Sequence, residues 1–304
     1  MAGSILSGTG AGALFAVLAA LSFALWNIYL QRGLEKGGGP RLSMLTLSLS
    51  VTAAFLPLSL WLGSRGALPP VRAAGVAWFL VAGLLTAAAG PLCAAHATRR
   101  IGATRTTALR LLDPFFAYLL ASVFLGERLG GRAVGGIVLI VAALLLLRLD
   151  GRRGAAASGG GVAAGVAFAV AASLLFTLGS VARKAGLGIV PSAVVAGAGE
   201  GVAGVLAVLP AIAAARAWGE LRAAFRPEAL DLWWSGLSAA AGTLFLNLAL
   251  QRAPVPVAVA LRNTSPWFAL VLVPLLIGRQ HRPGPWIWAS TALLTAGMLL
   301  IVTG

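Results

Sequence analysis

Five ionisable side chains fall inside stretches apolar enough to cross a bilayer: His96, Arg110, Asp113, Glu200 and Arg262. Charges at such depths cost roughly 2.5–3.5 kcal/mol each on insertion scales, so those present face a cavity or a partner. Arg110 and Asp113 lie three residues apart, where side chains on one helix are neighbours and neutralise each other. A guanidinium is also suited to grip a substrate carboxylate through two parallel hydrogen bonds. Arg110 lies about 10 Å along its helix, so the competing reading is a long side chain reaching back to the interface. Glu200, within Gly197-Ala198-Gly199-Glu200-Gly201, has no basic residue within one turn on its own span. Three roles suit it: a neutral acid hydrogen-bonded between helices, a proton-coupling group, or an acceptor for a substrate ammonium. His96 lies one turn before the end of its span and reads as a capping or interfacial residue, with a relay as the alternative. Trp26, Asn27, Phe176, Asn247, Asn263 and Trp267 add aromatic faces and amide groups. Such faces stack on an aromatic substrate while amides hold its polar end, in a mostly apolar pocket with few polar fixtures. Helix packing accounts for the same aromatics equally well.

The elements that position these residues follow from composition. Of 304 residues, 59% are hydrophobic and 10% charged, with a mean hydropathy of +0.94. A water-soluble domain of this size carries about a quarter charged residues, so the chain reads as an all-α integral membrane protein. Division at Arg, Gly and Pro clusters gives ten spans, at 11–31, 41–62, 73–97, 103–124, 132–148, 160–182, 191–213, 230–251, 255–277 and 285–303. The first lacks a basic region before it and leads into further spans, so it reads as a mature helix, not a signal peptide. Gly161-x-x-x-Gly165 and Gly197-x-x-x-Gly201 are candidate close helix contacts. Trp78, Trp218, Trp233, Trp234, Trp286 and Trp288 sit near span ends, where an amphipathic ring anchors at the interface.

Several chemistries are disfavoured. The single Cys93 forms no internal disulfide, and with His96 and His281 as the only imidazoles no haem, iron–sulfur or zinc framework is visible. Lys36 and Lys184 lack the glycine-rich run of a phosphate-binding loop, so ATP hydrolysis is not expected and no cofactor is called for. The net charge of +15 suggests nucleic acid in a soluble chain, but 21 of the 23 cations fall at loops or span ends, beside lipid headgroups. The expected partners are a small-molecule substrate and the lipid bilayer, with no nucleic acid and a monomer as the working assembly.

Laid on itself at an offset of 152 or 153, the chain repeats. Gly12-Ala13-Leu14-Phe15-Ala16-Val17 meets Gly165-Val166-Ala167-Phe168-Ala169-Val170, Phe23 meets Phe176, and Gly33-Leu34 meets Gly186-Leu187. Further on, Ala108-Leu109-Arg110 meets Ala260-Leu261-Arg262, Pro114 meets Pro266 and Phe116 meets Phe268, while Asp113 is replaced by Ser265. Each half, 1–152 and 153–304, holds five spans. An odd number starts the second half on the opposite membrane face, so the fold expected is ten transmembrane helices in two inverted five-helix repeats around a central cavity. Inverted repeats suit a secondary transporter, because two such halves exchange conformations and open one site alternately to each side.

Pro114, then Phe124-Leu125-Gly126-Glu127-Arg128-Leu129, then Gly135-Gly136-Ile137 resemble the ten-span EamA-type carriers of the drug/metabolite transporter superfamily. The resemblance covers essentially the whole chain. The second copy, Ile277-Gly278-Arg279-Gln280, lacks the Glu that follows the Gly, and the resemblance implies a helix-capping role for Glu127. Within that family the chain is similar to YddG-type exporters of aromatic amino acids. This implies a bacterial inner-membrane carrier that exports amino acids or related metabolites, with spans one, six, eight and nine lining the cavity.

Loops after odd-numbered spans hold 14 Lys and Arg and those after even-numbered spans 7, which taken literally puts both termini outside the cytoplasm. The family resemblance implies cytoplasmic termini; a C-terminal fusion reporter separates the two. Export of other metabolites or drugs is the alternative function. A channel is less favoured without a charge ring or filter motif, and an enzyme lacks a constellation of acids, nucleophile and base.

Overall fold

The computed structural model describes residues 2–102, 105–106, 109–113, 115–117, 119–120, 135–136, 138–139, 142–143, 146, 160–253, 255–276 and 285–303. Pro114, the Phe124–Leu129 segment with Glu127, Ile137, the junction between the two halves and Ile277–Gln280 lie outside these residues.

The described elements are helical. They run α1 (Ala2–Glu35), α2 (Pro40–Ser64), α3 (Ala73–Ile101), α4 (Gly160–Ile189), α5 (Ala193–Ala214), the short α6 (Gly219–Ala223), α7 (Leu230–Arg252), α8 (Val255–Arg262), α9 (Ser265–Leu276) and α10 (Pro285–Thr303). Five of them, α1 to α5, are long and apolar enough to cross a bilayer. Span four is represented by helical pieces between 105 and 120 and span five by pieces between 135 and 146.

Boundaries follow local chemistry. Pro40 opens α2 at the position where a missing N–H costs nothing, and the Ser192 hydroxyl caps α5 by accepting from the Val195 N–H at 3.3 Å. Pro57 inside α2 and Pro210 inside α5 are repeat-related, so both copies carry the same backbone defect.

The packing obeys the repeat. α1 lies along α7 as α3 lies along α4, and α2 lies along α5. Under the offset, spans one and eight exchange with spans six and three, while spans two and seven exchange with each other. Arg32 and Lys36 at the end of α1 pair with Asp231 at the start of α7, at 3.5 and 2.5 Å. The α2–α5 contact is close because Gly197 faces the Phe55 ring and Gly201 faces the Thr52 backbone. A Cβ on Gly201 would lie 2.6 Å from the Thr52 nitrogen. Gly201→Leu is therefore expected to force the two helices apart and cost about 1–3 kcal/mol, read as a lower melting temperature in detergent. Gly161→Ala is the control, since nothing lies within 4 Å of that position; of that pair, only Gly165 meets a neighbour, Ile101. A Gly201→Leu protein melting with the control would refute the contact.

Three departures from the sequence expectation bear on function. α4 does not end at 182 but continues to Ile189, so Arg183 and Lys184 are inside a helix. The division had cut at the first charge, whereas buried partners let the helix run on. Lys184 caps α7 by donating to the carbonyls of Leu250 and Ala253. Span nine is broken: α8 ends at Arg262, turns at Asn263-Thr264 and resumes as α9, whose second residue is Pro266. Proline lacks an N–H, so it cannot donate to the carbonyl four residues back, which is that of Arg262. Lastly, α3 contains a π-helical segment, Leu84–Ala89.

Candidate functional site

Spans four and nine bring the two repeated arginines together. The backbone loosens at both, as a 3₁₀ turn over Arg110–Leu112 and as the break after Arg262. Irregular backbone inside a membrane is tolerated where protein or a cavity satisfies its polar groups, and it builds many transporter sites. Asp113, with 0% of its surface exposed, is the hub. It ion-pairs with Arg262, accepts from the Ser173 hydroxyl, and its backbone carbonyl accepts from Thr177 at 3.3 Å. Arg262 also donates to the Asn263 amide oxygen at 3.0 and 3.2 Å, and the Asn263 amide donates to the Arg110 carbonyl at 3.3 Å.

Arg110 is held differently. Its guanidinium lies over the Phe176 ring at 4.2 Å and the Trp26 ring at 5.2 Å, and comes no closer than 4.0 Å to Asp113. Its Nε has no hydrogen-bond partner although it is buried. Burying a cation this way is tolerated because aromatic faces carry negative charge, but the in-plane Nε donor stays unspent.

A second buried charge cluster lies on α3, α4 and α5. Arg183, 3% exposed, forks onto Glu200, 1% exposed, at 2.7 Å from Nε to Oε1 and 2.5 Å from Nη2 to Oε2. Thr86, in the π segment, accepts from Arg183 at 3.0 Å and donates to the Ala82 carbonyl at 2.8 Å, with Glu200 Oε2 3.4 Å from the same hydroxyl. Glu200 is thus neither isolated nor paired on its own span; its partner comes from the preceding helix.

One cavity joins the clusters. Its walls include Phe23, Trp26, Phe176, Arg110, Arg262, Arg183, Glu200, Thr86 and Thr243. The cavity holds about 30 Å³, enough for about two waters, so an amino acid enters only when the helices part. Three arginines and two carboxylates meet around it, which leaves one positive charge over.

Residues 10–149 match the model of the EamA-like transporter family. That match points to a multi-pass membrane protein that transports small molecules. A solved crystal structure, 18% identical, superposes with a TM-score of 0.64 over 95% of this chain and 94% of its own, a likeness of fold that spans both halves. No curated protein matches.

Against that fold the candidate residues divide. Trp26, Arg110, Phe176, Glu200 and Arg262 line the cavity, and Asp113 and Asn263 stand directly behind the arginines. Four residues are not brought to it. Asn27 donates to the Phe23 carbonyl at 2.8 Å within α1. His96 stacks on Phe168 at 5.2 Å, with Arg100 over the same ring at 5.0 Å, near the end of α3. Asn247 donates to the Ala193 carbonyl at 3.4 Å, and Trp267 donates to Thr295 at 2.6 Å, joining α9 to α10. In each case a carbonyl, hydroxyl or ring elsewhere engages the side chain, although the buried Oδ1 of Asn247 has no hydrogen-bond partner. The sequence reading missed Arg183, Thr86, Ser173 and Thr177. Phe23 was visible as the repeat partner of Phe176, and that was the available signal for its place on the cavity wall.

Proposed function

We propose that the chain is a secondary exporter of amino acids, aromatic ones favoured, that works by alternating access in a bacterial inner membrane. The observation that supports this most is Arg110: a buried guanidinium over two aromatic rings, at a cavity wall, with a donor left unspent. A substrate carboxylate takes those donors and neutralises the surplus charge. Phe23, Trp26 and Phe176 offer faces to a flat apolar side chain, and Glu200, which keeps lone pairs beyond those Arg183 uses, offers its ammonium an acceptor. Of the two repeated arginines, Arg110 is the one assigned to the carboxylate, because Arg262 is committed to Asp113.

The family match and the broken ninth span favour a carrier over a pore. Counterflow of labelled phenylalanine in proteoliposomes tests this: a carrier gives accelerated exchange against internal phenylalanine, which a pore does not. Competition by tyrosine and tryptophan above leucine and lysine is expected. Absence of exchange sinks the amino-acid reading, and equal competition by leucine sinks the aromatic preference. The second reading, export of other carboxylate-bearing metabolites, rests on the same arginine and the surplus positive charge, and organic acids in the same assay address it.

A further inference from the structure

The repeat relates Arg110 to Arg262, yet the two are not equivalently held. Arg110, from the first half, lies over Phe176 of the second at 4.2 Å. Arg262, from the second half, lies over Phe23 of the first at 5.7 Å. Phe23 and Phe176 are themselves repeat-related, so the molecule holds two copies of one arginine-on-phenylalanine seat. One seat is close and the other drawn apart. The asymmetry coincides with Asp113, which pairs with Arg262 and stands 4.0 Å from Arg110. Its repeat-related position is Ser265, so a single carboxylate serves two related arginines.

We infer that Asp113 is a shared counter-ion that changes partner between transport states, holding Arg262 in this state and Arg110 in the alternate one. In each state the other arginine rests on its phenylalanine with its edge free for the substrate's anionic group. The inference rests on the carrier reading above. Inverted halves exchange conformations, so the arrangement of one half in one state becomes that of the other half in the next. Arg262 then closes on Phe23 while Arg110 draws back from Phe176.

A carboxylate with 0% exposure cannot be left unpaired, and Arg110, three residues along the same span, is its other cation within 4.0 Å among the described residues. The exchange therefore needs no charge to enter or leave. Both arginines sit at backbone irregularities, the 3₁₀ turn and the helix break, where reorientation does not disrupt a regular ladder of hydrogen bonds. Asn263 couples them, since it accepts from Arg262 and donates to the Arg110 carbonyl. A ring takes the face of a guanidinium and an anion its edge, so the ligand chemistry at each seat is one anionic group beside a flat apolar part.

The test uses no substrate. Thr243, on the cavity wall, is replaced by Cys in a Cys93→Ala background and labelled with a membrane-impermeant maleimide from either side of oriented vesicles. This parent protein is compared with Asp113→Ser/Ser265→Asp, which moves the carboxylate to the related position, and with Asp113→Asn. Moving the carboxylate is expected to reverse the favoured side, from about tenfold one way to about tenfold the other, and Asp113→Asn to bring the ratio within about twofold. If the relocated variant fails to insert, Asp113→Asn decides alone. An unchanged favoured side after relocation, or an undiminished bias in Asp113→Asn, overturns the inference. A wrong substrate class leaves these readings untouched; equal labelling of the parent from both sides overturns this inference, while the counterflow assay above tests the carrier reading separately.

Discussion

Arg110→Ala is expected to abolish counterflow while the protein still inserts in the membrane and keeps its melting temperature within a few degrees. The stability half follows from what Arg110 does not do: its closest carboxylate oxygen is 4.0 Å away, and Asp113 keeps Arg262 and Ser173 after the change. The activity half follows from what it offers. Hydrogen bonds to a charged group contribute about 1.5–3 kcal/mol each, so losing a two-pronged grip weakens substrate binding by about a hundredfold or more. Arg110→Lys keeps the charge but not the planar fork or its stacking on Phe176, and should retain a small fraction of activity. Full exchange by the alanine variant would remove Arg110 from the site. A collapse of folding would assign it to structure.

The second large effect is at the other charge cluster. Arg183→Met leaves Glu200 buried at 1% exposure without its cation, and breaking a buried pair from one side costs about 3–5 kcal/mol. The double variant Arg183→Met/Glu200→Gln removes both charges and should recover most of that loss. The measurement is thermal melting in detergent for the two singles and the double. A coupling near zero would mean that the ion pair contributes nothing. The pairing also changes the expectation for proton coupling, since both carboxylate oxygens of Glu200 are already engaged by Arg183. Glu200→Gln is therefore expected to lower stability and leave the pH profile of transport in place. A flattened profile in that variant would restore the coupling role.

The repeat was readable because duplication keeps the residues that packing constrains, such as Gly12 with Gly165 and Phe23 with Phe176. From it came the inverted halves and the pairing of Arg110 with Arg262. That each arginine lies over the phenylalanine of the opposite half was not readable, since it depends on how spans four and nine cross spans one and six. Arg183 was misplaced for a related reason: dividing an apolar chain at its charges assumes that charges lie outside, and a buried pair defeats the assumption. With Arg183 and Lys184 moved into α4, five cations remain on the even-numbered loops, and the charge bias between the two faces steepens. Asn27, Asn247 and Trp267 lie away from the described cavity because polarity in an apolar span has two outlets, a ligand or a neighbouring carbonyl or hydroxyl, and spacing does not distinguish them.

The π-helical segment in α3 bears on how one helix serves different neighbours. A π turn accommodates more residues than an α turn, so side chains after it are out of phase with those before it. Ahead of Leu84–Ala89, Phe79 packs against Gly186 and Gly199; beyond it, Gly90 faces the Phe176 ring beneath Arg110. Winding the same residues as a regular α-helix would rotate everything from Gly90 to Ile101 by about 100° relative to the first half of the helix. The ring of Phe176 would then lose its floor. The π turn is thus a phase setting for the cavity wall, and a change that regularises this segment at constant length is expected to disturb that wall.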